Sequence, residues 1–334
     1  MPKKAKNLFK ALVEPQTLSR AVYLSQQKKR TNGQMLRFNK DLDANLSRLR
    51  TDLINGNLPE CHYRIMVIHE PKERIIQIAP YDPFRIIEKA MIVVLKKFYY
   101  AHFVDQTYAC IKGRGIHKCM ADVKKALNTD TKGTLYCLKG DIKKFYNNIN
   151  HTILKWMHRS KISDQRMLNL IYWDIDCTQQ KTGLPIGAET SQYYANFYLT
   201  AFDRICKEVL KIKYYFRYMD DFVILAATKE KLHQYLKKIQ SFLSSKLRLK
   251  VKENYQIFPL YARQIDFVGY RMNHYTIMLR KHILKRFYKK LKEKQKELHV
   301  TEIDVKHELS SYYGWINHLP INHQLNIYNY AKAV

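Results

Sequence analysis

Glycine and proline are scarce, ten and nine in 334 residues. Flexible tethers are built from glycine and serine and stiff ones from proline, so the composition excludes subdomains strung on a loose linker and predicts subdomains packed together. No low-complexity tract or internal repeat is present. The six cysteines, at 61, 110, 119, 137, 177 and 206, include no CxxC pair, which excludes a zinc knuckle and a redox motif. A reduced, cytosolic chain is expected rather than a disulfide scaffold. Acidic residues are few: 29 Asp plus Glu stand against 59 Lys plus Arg, a formal net charge of +30. Such an excess points to a polyanionic partner, most simply nucleic acid. No uncharged apolar run approaches the roughly 18 residues that span a bilayer. The N-terminal "MPKKAKNLFKAL" lacks the apolar stretch of a secretory signal. No membrane partner is expected, and a cytoplasmic location is.

The positive charge is clustered. Residues 1–40 hold ten Lys/Arg and one acid, Glu14, and residues 280–297 hold nine Lys/Arg with Glu293 and Glu297. Along the chain 25 tyrosines and 14 phenylalanines are interleaved with this charge; their faces can stack on bases while lysines meet phosphates. Helices are predicted over 17–29 and over 39–55, the second stopped by Gly56. "HYRIMVIHEP" and "ERIIQIAP" read as a strand pair. A long buried helix follows, with Pro83 near its start. "GTLYCLKGDI" is a strand ending at Asp141, and "AETSQYYANFYLTAFDRICKEVL" one long helix. "YYFRYMDDFVIL" is strand, tight turn, strand. "KEKLHQYLKKIQSFLSSKL" is a helix, strands continue through "RQIDFVGYRM", and from His282 the chain is helical with Leu284, Phe287 and Leu291 on one face. The fold class is α+β: an antiparallel sheet with helices, then a basic helical tail.

The chemistry concentrates at the turn. Asp220 and Asp221 sit side by side between apolar strands, where like charges need a counter-charge. A divalent metal is the natural one, and Mg²⁺ takes carboxylate oxygens together with substrate phosphates. If the strand that ends at Asp141 lies beside this hairpin, three carboxylates meet. Two ions held about 3.5–4 Å apart by such groups suit in-line attack on phosphorus.

"GDIKKFYNNI", "GLPIGAETSQ", "RYMDDFVIL" and "IDFVGY" resemble, in order and spacing, the palm motifs of reverse transcriptases. "EPKERIIQ" and "YACIKGRGIH" are similar to fingers motifs of the bacterial, group II intron-like branch, and "SYYGWINH" to its thumb motif. The resemblance covers roughly residues 60–320. It implies a right-hand polymerase fold: a basic N-terminal helical extension over 1–60, fingers over 61–135 (with 150–185 shared between fingers and palm), palm over 136–272 and a basic helical thumb over 273–334. It implies that Asp141, Asp220 and Asp221 are the catalytic, metal-binding triad for two Mg²⁺ ions, with Mn²⁺ able to stand in. It places Tyr146 as the steric gate beneath the sugar, Lys72 and Arg74 on the β- and γ-phosphates, where arginine suits a bidentate contact, and Ile186, Gly187 and Gln192 in the dNTP pocket. Ile111 stands where intron-type enzymes carry an arginine, with Lys112 or Arg114 as alternatives. Lys252 is the candidate for protonating the leaving pyrophosphate.

Most reverse transcriptases have a Gln–Gly…Ser–Pro pattern in "IGAETSQ". Here Ile186 replaces the glutamine and Gln192 the proline, a combination similar to the enzymes of diversity-generating retroelements. The resemblance implies an RNA-directed DNA polymerase that copies a template-repeat RNA into cDNA with errors at adenines. Its partners would be RNA template, cDNA or primer, dNTPs and a small basic oligomeric accessory protein, in a bacterial or phage-encoded setting. Isoleucine offers the nascent pair packing but no amide, so selection of the incoming base is expected to be looser. The alternatives are another bacterial reverse transcriptase, retron-like or anti-phage, and a non-catalytic RNA-binding scaffold. With no RNase H, maturase or zinc endonuclease motif before Val334, intron mobility is not expected of this chain alone.

Overall fold

The described residues form nine short strands and a majority of helix. The computed structural model describes residues 4–27, 33–60, 62–69, 73–295 and 307–333. The chain divides into two compact units. The first comprises 1–104, 142–204 and 241–250; the second comprises 105–141, 205–240 and 251–334.

In the first unit, helices Leu8–Leu12, Pro15–Gln26, Gly33–Asn39 and Leu42–Asn55 precede a two-stranded antiparallel sheet. Its strands are β1 (Arg64–Ile68) and β2 (Arg74–Ile78), paired from Arg64↔Ile78 to Ile68↔Arg74. The expected 17–29 helix begins two residues earlier, with Pro15 at its first position, where the missing N–H costs nothing. The expected 39–55 helix starts three residues later, at Leu42, because Asp41 leaves helical geometry at φ −137°. Gly56 closes it in the left-handed region at φ 77°, its N–H turned back to Asp52 and Leu53 carbonyls. The central helix is Ile86–His102. It is apolar nearly all round, burying Ile86, Ile87, Ala90, Met91, Leu95 and Tyr99, as a helix covered on every side must be. It begins only after Pro83, since the residue before proline, Asp82, is extended at φ −109° and ψ 134°.

Helices His151–Lys161, Gln165–Asp176 and Glu189–Tyr198 complete this unit's core. The single helix expected over 188–210 is broken. It runs Glu189–Tyr198 and Thr200–Arg204, and then passes into a wider turn at Ile205–Val209. At the break the Thr200 hydroxyl donates back to the Phe197 carbonyl at 2.6 Å, a local bond that competes with the helical ladder.

The second unit is built on a four-stranded antiparallel sheet. Its strands are β3 (Tyr136–Asp141), β4 (Tyr214–Tyr218), β5 (Asp221–Ala226) and β6 (Gln256–Pro259), in the order β4-β5-β3-β6. The inner pair is covered on both faces, and from Phe222 to Ala226 every residue of β5 is buried. A three-stranded sheet, β7 (Ile265–Phe267), β8 (Tyr270–Met272) and β9 (Ile277–Leu279), follows. One apolar core joins Cys119 and Val123 of helix Ile116–Thr129 to Val223, Leu225, Phe258, Ile265 and Phe267. It also takes Phe287 and Leu291 from helix Lys281–Gln295, while Leu284 is only partly buried. The expected 282–298 helix runs past the described residues at its end.

Among the described residues no helix is long and apolar enough to cross a membrane. None of Cys110, Cys119, Cys137, Cys177 and Cys206 is in a disulfide.

Candidate active site

Antiparallel pairing of β3 with β5 sets Asp141 directly opposite Asp221. On its other side β5 pairs with β4, Tyr218 facing Asp221. Met219 and Asp220 are therefore the two turn residues of the hairpin, and the three aspartates gather at one end of the sheet. Met219 takes φ 54°, a left-handed conformation that costs a non-glycine residue roughly 1–3 kcal/mol. The strain is held by Arg217, whose Nη1 donates to the Met219 carbonyl at 2.8 Å and whose Nη2 donates to Thr107 Oγ1 at 3.3 Å. Arg217 is fully buried. Its own backbone is tied to residues 106 and 108, accepting from Tyr108 N–H and donating to the Gln106 carbonyl. A glycine is needed at 140, because a Cβ there would stand 2.3 Å from the ring of Phe222, its partner across the register.

The electrostatics of the cluster are those of crowded carboxylates. Burial, then the negative charges of Asp141 and Asp220, push Asp221 up to about 7. Lys252 answers part of this charge. Its N–H donates to the Asp141 carbonyl at 2.8 Å, and its ammonium lies 2.6 Å from Asp141 Oδ1. That approach is a charge contact rather than a well-directed hydrogen bond. Lys252, expected to protonate a leaving group, is thus placed on a triad carboxylate.

The donor chemistry fits a hard divalent cation: acidic oxygens whose mutual repulsion a positive charge relieves. Among the described residues no three His, Cys, Asp or Glu side chains stand close enough to form a ligand set. Substrate phosphates and water would have to supply the rest of a metal's shell.

The expected nucleotide-pocket residues lie in the first unit. Lys72 is outside the described residues. Arg74 opens β2. The segment holding Ile186 and Gly187 is tied to that strand, with Gln77 N–H donating to the Ile186 carbonyl at 2.9 Å. Gly187 sits at φ 119°, and a Cβ there would come within 3.0 Å of Ile76 Cγ2 and 3.1 Å of the Gln77 carbonyl, so both backbone conformation and close approach require glycine. The same segment reaches Tyr146, whose carbonyl accepts from Leu184 N–H at 3.0 Å. Tyr146 is half-buried in the short helix Phe145–Asn148, its ring edge-on to Phe145. Main-chain bonds thus join β2, the 183–187 segment and the Tyr146 turn in one network. Gln192 is half-buried on helix Glu189–Tyr198. Ile111 is core, Arg114 is turned to the Thr107 carbonyl and Asp105, and Lys112 is exposed.

Arg217 was missed in the sequence, although its place three residues before Asp220 is a signal: a charge inside an apolar strand. Glu88, inside the apolar helix Ile86–His102, gave the same signal. It and Asp174 are buried together.

Residues 69–272 match the family described as reverse transcriptase (RNA-dependent DNA polymerase). Protein YkfC of Escherichia coli K12 is 22% identical over 274 residues, covering 69% of this chain and 72% of that protein. The group II intron-encoded protein LtrA of Lactococcus lactis subsp. cremoris is 26% identical over 191 residues, 52% of this chain and 30% of LtrA. Among solved structures, apo telomerase from Candida tropicalis truncated from its C-terminal domain aligns with a TM-score of 0.51 at 15% identity, over 65% of this chain and 55% of that one. Telomerase of the same organism in complex with a fragment of telomeric RNA aligns at 0.51 and 14% identity, over 81% and 57%. The chain spans little more than half of those telomerase chains, and the likeness shows a shared right-hand polymerase fold. With the aspartates of "GD" and "YMDD" facing across one register and the family match covering the sheet that carries them, the chain belongs to the reverse transcriptases, the RNA-dependent DNA polymerases.

Proposed function

We propose that this chain is the reverse transcriptase of a diversity-generating retroelement, copying a template-repeat RNA into cDNA with errors concentrated at adenines. The observation that carries the reading is the Ile186–Gln192 segment. Ile186 hangs from β2 by its carbonyl, Gly187 fits only as glycine, and the side chain offered at 186 has no polar group with which to fix an incoming base. Fixed polar contacts discriminate strongly and apolar packing weakly.

In this reading residues 61–135 are fingers, 136–272 palm and 273–334 thumb, behind the extension 1–60. Asp141, Asp220 and Asp221 would hold two Mg²⁺ or Mn²⁺ ions, which would activate the primer hydroxyl and neutralise the departing pyrophosphate. Arg217 keeps the turn in the conformation that presents Asp220 and Asp221. Tyr146 lies against the sugar and excludes a 2′-hydroxyl. Arg74, with Lys72, meets the triphosphate. The basic N-terminal forty residues and the helix from Lys281 grip template, primer, or the RNA carried by a small basic accessory protein.

The test is primer extension on a mixed-sequence RNA with dNTPs and Mg²⁺, followed by sequencing of the cDNA. Asp220→Ala/Asp221→Ala is expected to abolish synthesis. Wild-type errors are expected opposite template adenine, and Ile186→Gln is expected to lower them. Few errors spread over all four bases would place the chain among retron-like or anti-phage enzymes, and an active double-alanine variant would remove the triad from catalysis.

A further inference from the structure

Behind the Ile186–Gln192 segment lies a buried acidic pair that no step above uses. Glu88 and Asp174 are each 4% exposed. Thr190 Oγ1 donates to Glu88 Oε1 at 3.3 Å. The hydroxyls of Thr190 and Tyr194 face Asp174, whose Oδ2 is left without a hydrogen-bond partner. Tyr99, whose hydroxyl contacts His158 Nε2 at 3.0 Å, faces the same carboxylate. Positive charge is short here. Arg85 caps the start of Glu88's helix, and Lys89 is paired with Glu189. Burial, then the charge of Asp174, push Glu88 up to about 8, while burial raises Asp174 to about 6. Near neutrality the pair therefore shares one proton and one negative charge.

Two buried acids cost more than an apolar pair of the same shape, so packing alone does not account for them. Their placement does. Thr190 lies between Ile186 and Gln192 in sequence. The segment is fastened to β2 through the Ile186 carbonyl and to helix Ile86–His102 through Thr190 and Glu88, with the Lys89–Glu189 pair alongside. A cavity of about 140 Å³ at this junction is lined by Gln27, Arg85, Glu88, Lys89, Gly187 and Glu189 among others, so the segment has room to shift when a fastening is lost.

We propose that Glu88 and Asp174 are positioning residues for nucleotide selection: acting through Thr190, they hold the Ile186–Gln192 segment in register with β2. The proposal rests on the reading of that segment as the contact to the incoming nucleotide. Thr190 has one hydroxyl hydrogen. With Glu88 protonated, that hydrogen and the carboxyl proton serve two acceptors. With both acids ionised, the carboxyl proton is gone and the two buried anions repel each other across Thr190, so the fastening weakens.

The experiment measures KM for dNTP, kcat and misincorporation by the full chain at about pH 7 and about pH 9, on either side of the Glu88 transition. In the wild type KM and misincorporation are expected to rise several-fold at the higher pH. Glu88→Gln, which keeps the neutral form at every pH, is expected to match the wild type at the lower pH and to stay flat. Thr190→Val is expected to raise KM at the lower pH with an unchanged circular dichroism spectrum, and Thr190→Ser to restore it. A Glu88→Gln enzyme with the wild-type pH response, or a wild type with none, overturns the proposal. If Ile186→Gln leaves selection untouched, the reading of the segment fails instead; if it alters selection while Glu88→Gln keeps the wild-type pH response, only the positioning role falls.

Discussion

The proton on Glu88 carries a stability consequence that can be worked through. Its carboxyl is raised from 4.5 to about 8, so between those values the folded chain binds a proton that the unfolded chain releases. An acid raised in this direction contributes stability in full below about pH 4.5 and loses it as the pH climbs through about 8. The loss is about 1.4 kcal/mol per pH unit within that window and nothing beyond it. From about pH 5.5 to about pH 8.5 the first unit should lose on the order of 3 kcal/mol on this account. Glu88→Gln carries no such proton and should lose none of it, keeping only the shallower decline from Asp174 near pH 6. Amide exchange in helices Ile86–His102 and Glu189–Tyr198 reads the opening free energy locally. The variant should gain on the wild type steadily up to about pH 8 and run parallel above it. If the two run parallel from pH 5.5 upward, Glu88 is ionised in the folded chain and the shared-proton account is wrong.

Gly140→Ala drives a methyl into the ring of Phe222 and should destabilise the second unit by about 1–3 kcal/mol; Gly140→Ala with Phe222→Leu should recover part of that in thermal unfolding. Arg217→Met removes the donor to Met219 and leaves the Thr107 hydroxyl without its Nη2 partner. We expect a loss of about 3 kcal/mol or more together with most of the primer-extension activity, and no rescue by Arg217→Lys, which cannot span both acceptors. Replacing exposed Lys285, Lys289 and Lys290 by glutamine should lower the log–log salt slope of duplex binding by up to about 2–3 while leaving sequence preference unchanged. An unchanged slope would take this helix face off the nucleic acid.

Local pattern was enough to place the aspartates on a strand end and a hairpin, but not to pair them. That Asp141 faces Asp221 depends on β5 lying between β4 and β3, a non-local choice that no spacing encodes. The break after Tyr198 escaped the helical pattern for a similar reason. Thr200 fits the periodicity, and only its hydroxyl bond to Phe197 shows that the ladder yields there. The residues proposed for the nucleotide pocket were suggested by the family resemblance alone. The clamp of Gly187 on β2 was not, because a close approach is a property of two segments.

Arg217, Glu88 and Asp174 share one mark in the sequence: each is a charge inside a stretch whose neighbours are buried and apolar. Taken one by one, such charges are read as exposed, since a buried ion is costly. Taken together with their positions they point elsewhere. Arg217 holds the turn that presents two aspartates. Glu88 holds Thr190, and Asp174 faces it, behind the segment proposed above to select the incoming nucleotide. A fold that only had to be stable could replace such charges, together with the polar groups they bond, by apolar residues of similar volume at no loss. Charges kept where stability disfavours them mark backbone that has to be held in one position, and here both stretches they hold are the ones the family resemblance assigns to chemistry and to selection.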